Sequence, residues 1–285
     1  MRRSSVLMLC LASTVLVSAC TKSAEEDVDR AVQDVINSDR NAINEIMIRS
    51  ANPNEAAAYF KRELAKDPDN IDFRRGLAVS LVRGGRSVEG MSAWKKVVEH
   101  PQSTSEDKVE LADASIRAGE WKAAEAALNS TPPTHETFKR YRLEAMIADS
   151  KQDWPRADSY YETAISLTTR PASVLNNWGY SKLSRGDNQG AEKLFAEALT
   201  YDQGMFTAKN NLVLARAKQR KYQLPVIPMS QVEEAQLLHT MALAAIKQGD
   251  VDTGRGLLQE AIEVHPQYFE PAVRALESLE KDVTL

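Results

Sequence analysis

Cysteine is almost missing from this chain: 285 residues hold two, Cys10 and Cys20, both near the beginning. The rest of the sequence therefore has no thiol for a disulfide or a thiolate metal site. Long apolar runs are missing too. Val6–Val17 is free of charge, but a membrane-spanning helix needs roughly 20 apolar residues. Neither sign of charge dominates, with 36 Lys and Arg against 40 Asp and Glu, so a nucleic-acid partner is not expected. The four histidines, His100, His135, His239 and His265, show no metal-ligand spacing, and no G-x-S-x-G or H-E-x-x-H motif occurs. Gly85 and Gly90 have the separation of a phosphate loop, but Met91 stands where that loop needs lysine. His100 and His265 precede proline at expected helix ends, where a histidine can meet the last carbonyls. Acidic side chains are dispersed along helix faces expected to be solvated, Glu192 among them. No enzyme activity, metal, cofactor or small-molecule substrate is expected.

What is present begins at the N-terminus. Arg2 and Arg3 precede the short apolar run, the pattern of an export signal. Val17 and Ala19 would suit cleavage to a freely soluble product, but Val17-Ser18-Ala19-Cys20 resembles the lipobox of bacterial lipoproteins. That resemblance implies residues 1–19 as a signal peptide and Cys20 as a lipidated N-terminus, with 20–27 as a polar tether. Each buried CH₂ of the lipid contributes about 0.8 kcal/mol, so two or three acyl chains anchor where one binds only marginally. Thr21 in place of Asp implies the outer membrane, at its periplasmic face. Loss of Arg2 and Arg3 would leave 34 basic against 40 acidic residues, a net charge of −6.

The remaining length is large for one compact core and invites a search for repeats. Gly85 and Gly119 are 34 residues apart, as are Asp153 and Asp187. Phe60, Trp94 and Leu128 share that spacing, as do Tyr161 and Phe195. A period of 34 built from two helices resembles the tetratricopeptide repeat. The match is best over 172–205, at Leu175, Trp178, Gly179, Ala191, Phe195 and Ala198, with Gly186-Asp187 at the turn. Lys182 and Gln203 depart from the family's Tyr and Pro. Gly179 and Ala191 are small where two helices would cross, and Trp178 and Phe195 would fill the remaining space.

The same period gives units 37–70, 71–104, 105–137, 138–171, 172–205 and 235–268, preceded by a capping helix over 28–36. Asn52, Pro53 and Glu55 form a helix start. Pro225 and Pro228 break the rhythm, which leaves a helix from about Thr207 to Lys221 without an ordinary partner. This reads either as a tolerated irregularity or as a hinge or docking loop. The organisation expected is therefore a cap and array over 28–224, a Pro-containing loop at 225–234, and a C-terminal repeat with closing helix at 235–285. The fold class implied is all-α, a right-handed superhelical solenoid of helix pairs.

Such a solenoid lines a concave groove with the first helix of each repeat. The family's inward positions fall here on Lys139, Arg142, Asn176, Asn177, Tyr180, Asn210 and Asn211. Asn176 and Asn210 are 34 residues apart, so the asparagine pairs stack. A carboxamide both donates and accepts, and can clamp an extended peptide backbone. The pairs are equally readable as a polar helix face.

The stretches "NNWGYSKLSRGDNQGAEKLFAEAL", "AKNNLVLARAKQRKYQLPVIPMS" and "LLHTMALAAIKQGDVDTGRGLLQEAIEVHPQYFEPAVRALE", together with the lipobox, resemble the TadD family of Flp pilus-assembly lipoproteins of the tight adherence (Tad) system. The resemblance implies protein partners among the secretin and pilus-assembly components. The alternative is a general envelope scaffold, for outer-membrane protein insertion or for cell-wall enzymes.

Overall fold

The computed structural model describes residues 41–283. The signal, Cys20, the tether and the helix expected at 28–36 lie outside the described residues. Within them the chain is all-α, with no strand.

Of the described residues, 41–118 belong to one compact unit. After helical residues 41–49 come α1 (Pro53–Lys66), α2 (Ile71–Arg83), α3 (Ser87–Val98) and α4 (Ser105–Arg117). Asn52 caps α1 by accepting the Asn54 N–H at 2.9 Å, with Pro53 in the first turn as expected. Phe60 and Trp94, one period apart, are both buried. A Cβ on Gly76 would lie 2.4 Å from the Phe60 ring, so the small residue is what lets α2 approach α1. Arg75 ties α2 to α4 by a fork, its Nε and Nη2 each 2.8 Å from an Asp107 oxygen. Asp107 also closes the capping box at Thr104. Burial opposes its ionisation, but the Arg75 and Thr104 bonds hold the carboxyl below its ordinary range.

The second unit starts at Gly119. It contains α5 (Trp121–Asn129), α6 (Phe138–Ser150), α7 (Trp154–Ser166), α8 (Ala172–Ser184), α9 (Asn188–Tyr201), α10 (Phe206–Ala217), α11 (Gln231–Lys247), α12 (Val251–Val264) and α13 (Glu270–Val283). The closest neighbours are the predicted pairs α6–α7, α8–α9 and α11–α12. At the α8–α9 crossing, a Cβ on Gly179 would stand 2.7 Å from Phe195 Cε1, and Ala191 and Phe195 are fully buried. Trp178 does something other than expected. It is half-buried, stacks on Tyr161 of the preceding pair at 6.1 Å, and donates its indole N–H to Asp158 at 2.6 Å. Repeat-to-repeat stacking, rather than the crossing within its own pair, uses this side chain.

The turns between paired helices need a left-handed residue. Gly85, Gly119, Gly186 and Gly249 supply it with φ of 73° to 85°, and Gln152 takes the same conformation at φ 60°. Arg220, one period after Gly186, does so at φ 58°. The Lys221 N–H then reaches Arg216 O at 3.1 Å, repeating the bond from Asp187 to Lys182 O. The segment led by α10 thus makes a repeat-like turn but grows no second helix. Asp153 and Asp187 cap α7 and α9 by accepting backbone N–H bonds. Lysine at 221 cannot accept, and Pro225 and Pro228 remove the first bonds such a helix would form.

Residues 222–230 instead lie as a strap. Tyr222, Leu224 and Met229 pack on one apolar cluster and Ile227 on its neighbour. Lys209 of α10, 3% exposed, donates to Pro228 O at 2.7 Å and to Glu233 at 3.1 Å. Gln248 donates to Ala217 O, and Tyr222 to Asp250. Thus α10 ends earlier than the Thr207–Lys221 reading and has α9 and α11 as neighbours. Gln231–Glu234, expected in the loop, form the first turn of α11 under a Ser230–Glu233 capping box.

Candidate functional site

The second unit carries a groove of about 500 Å³ built mainly on one row of first helices, α6, α8 and α10. Asn176, Asn177, Tyr180 and Asn211, inward positions implied by the tetratricopeptide resemblance, line it. Lys139, Arg142 and Asn210 do not. Arg142 sits on the turn of α6 preceding Met146 and Asp149, which do reach the groove. Trp121 and Trp154, outside the inward register, also line the groove, as does Asp149, which lies on an inward position of its unit but was not singled out. Trp121 and Trp154 each stand right after a left-handed turn, at the start of a second helix.

The asparagines form a ladder between successive first helices. Asn177 Nδ2 contacts Met146 Sδ at 3.4 Å, Asn211 Nδ2 donates to Asn176 Oδ1 at 3.1 Å, and Thr240 Oγ1 of α11 donates to Asn210 Oδ1 at 2.7 Å. Asn210 therefore serves the α10–α11 contact instead of the groove. Large rings remain in solvent, Tyr180 at 60% and Trp121 at 39% exposure. Exposed aromatic surface beside polar groups is the composition of a binding surface.

Two carboxylates sit near the groove in different settings. Asp149, on the last turn of α6, lines it and accepts from Tyr161 Oη at 2.8 Å and Ser181 Oγ at 2.6 Å. Burial pushes its carboxyl up, and the two hydroxyl bonds only partly offset this. Asp158 of α7 gathers the indole of Trp178, Lys182 Nζ at 3.0 Å and the Arg185 guanidinium. Against its burial, those bonds hold Asp158 below its ordinary range. Lys182, a departure from the repeat pattern, thus has a structural role.

Glu192, expected to be solvated, accepts from Gln219 at 2.8 Å and Lys221 at 2.9 Å, which keep its carboxyl low despite burial. The terminal histidines turn forward instead of back to helix carbonyls. His100 and His265 accept the N–H of Gln102 and Gln267, each at 3.2 Å, and His265 stacks on Phe269 at 4.8 Å. Among the described residues no cluster of three or more His, Cys, Asp or Glu side chains could hold a metal ion, and no helix is long and apolar enough to cross a membrane.

Family models of the tetratricopeptide repeat match residues 48–103 and 236–268. The chain is similar to a tetratricopeptide repeat and J domain-containing co-chaperone of Fusarium oxysporum, 25% identical over 142 residues, covering 47% of this chain and 27% of the co-chaperone. It thus spans about a quarter of that relative. In structure it resembles a chain of the APC/C hetero-tetramer Cut9–Hcn1, with TM-score 0.60, 16% identity, and 83% of this chain and 48% of that one covered. A tetratricopeptide repeat protein from Parabacteroides merdae matches with TM-score 0.54 and 12% identity, covering 91% of this chain and 99% of its own. Likeness at such identities concerns the fold alone. The chain therefore carries tetratricopeptide repeats in an all-helical fold, an architecture suited to a protein–protein interaction scaffold.

Proposed function

We propose that this protein is a non-catalytic, lipid-anchored scaffold that holds an extended segment of a partner in the groove of α6, α8 and α10, and that it supports assembly of a Tad/Flp pilus and its outer-membrane secretin. The observation that carries the groove reading is the asparagine ladder beside exposed Tyr180 and Trp121. Asn177 Oδ1 and Asn211 Oδ1 accept no bond from the described residues, which leaves two acceptors facing a peptide-sized channel. The lipobox-like Val17–Cys20 supports the anchor, at the periplasmic face of the outer membrane, and the three C-terminal stretches support the pilus assignment.

Crosslinking in intact cells, followed by identification of what co-purifies, tests the partner. A secretin or pilus component is expected. Recovery of a barrel-assembly factor or a cell-wall enzyme would identify a general envelope scaffold instead. For the anchor, mature protein should begin at acylated Cys20 and sediment with membranes, and Cys20→Ser should leave it unprocessed or soluble. An unacylated mature N-terminus in wild type refutes the anchor.

A further inference from the structure

The groove has a charge asymmetry. Of the side chains lining it, Asp149 alone is charged. Its two partners, Tyr161 and Ser181, are neutral hydroxyls. Arg185 reaches it only at longer range, being bonded to Asp158 with its guanidinium 5.5 Å from the centre of the Trp154 ring. A half-buried carboxylate with neutral donors retains most of its Coulombic demand for a cation. The rings of Trp121, Trp154 and Tyr180 line the same groove. Aromatic faces accept the apolar stems of long basic side chains and attract their charged heads.

We infer that the segment held in this groove presents a lysine or arginine, its stem laid on the Trp121 and Tyr180 rings and its charged end directed at Asp149, while Asn177 and Asn211 hold the backbone on either side. The inference rests on the groove reading above and specifies the chemistry of the occupant. Charge complementarity selects this occupant over an acidic or purely apolar one: an acidic side chain would meet Asp149 with like charge, and an apolar one would leave the carboxylate further desolvated without a partner.

The test uses the full chain and an array of randomised nonapeptides whose central residue is fixed as lysine, arginine, acetyl-lysine or glutamate. Lysine and arginine pools should be retained about fivefold better than acetyl-lysine and glutamate pools, as expected of one partly desolvated charge contact. In Asp149→Asn that preference should fall towards unity while overall retention persists. Because the variant also alters bonds to Tyr161 and Ser181, the wild-type comparison of lysine with acetyl-lysine decides independently of its folding. Equal retention of all four pools, with binding still lost in Trp121→Ala/Tyr180→Ala, overturns the charge inference and leaves the groove standing. No retention of any pool by wild type overturns the groove reading and the inference with it.

Discussion

Asn211 Nδ2 donates to Asn176 Oδ1 at 3.1 Å across two successive first helices, so a carboxamide that faces the groove also fixes the register of its wall. Among the described residues Asn177 has only the weak contact to Met146 Sδ. The two residues should therefore separate in their effects. Asn177→Ala should leave thermal unfolding unchanged and weaken peptide retention. Asn211→Ala should weaken retention and also cost about 0.5–1.5 kcal/mol of stability for the missing bond. Together they should reduce partner affinity about 5- to 150-fold. Unchanged peptide retention in the double variant would move the binding surface away from these asparagines.

The Gly179–Phe195 contact sets the α8–α9 approach. Even alanine would place a carbon 2.7 Å from a ring that is fully buried. Gly179→Ala should cost about 1–3 kcal/mol and Gly179→Leu more, because the helices must separate. Phe195→Leu added to Gly179→Ala should recover part of the loss, which denaturant unfolding of the two single variants and the double variant measures.

Much of this was readable in the sequence because a 34-residue period is a local, repeated signal. The pairing of α8 with α9 follows from it, the Asn52 cap from Asn52-Pro53 and Glu55, and the groove positions of Asn176, Asn177, Tyr180 and Asn211 from the inward positions that the tetratricopeptide resemblance implies. What stayed hidden depends on where the period fails. Glu192 looks solvated until the segment after α10 folds back and brings Gln219 and Lys221 to it. Trp121 and Trp154 enter the groove from second helices, which the repeat register does not count as inward. Asn210 obeys the register, yet Thr240 of the next first helix claims it.

The strap is held from beneath by Lys209, whose ammonium is buried against Pro228 O and Glu233. Lys209→Met keeps the stem but removes both bonds and leaves a carbonyl unsatisfied. A loss of about 1–3 kcal/mol is expected. Amide exchange should rise first over 222–230, since those residues have no helix of their own to protect them. Exchange unchanged there, with faster exchange in α8 instead, would contradict this role.

His239 lies edge-on to Phe269 at 5.7 Å, and burial holds its imidazole below the usual histidine range. The sign follows from which state binds the proton. Below about pH 6.5 the unfolded chain protonates this histidine while the folded chain resists, so stability falls as pH drops towards the lower native value. His239→Gln should flatten that part of the stability profile, although it also loses the ring contact and so should be less stable at pH 7.5. A wild-type melting temperature that does not fall more than the variant's between pH 7.5 and 5.5 would reject the assignment.

Gln152 and Arg220 hold left-handed backbone that glycine adopts elsewhere in the array, and their responses to glycine should differ. Left-handed backbone costs a side-chain-bearing residue about 1–2 kcal/mol, and glycine's extra freedom in the unfolded chain returns about 0.5–1 of that. Gln152→Gly should thus gain up to about 1 kcal/mol, as its exposed side chain makes no bond among the described residues. Arg220→Gly relieves the same strain but removes the pair with Asp250 and the bond to Gln248 O. Its Asp250 partner also holds Tyr222, so the change loosens the entry to the strap. No net gain is expected there, and unfolding of both variants side by side measures the difference. An equal rise in both would mean that the Arg220–Asp250 contact contributes nothing to the turn that ends the α10 segment.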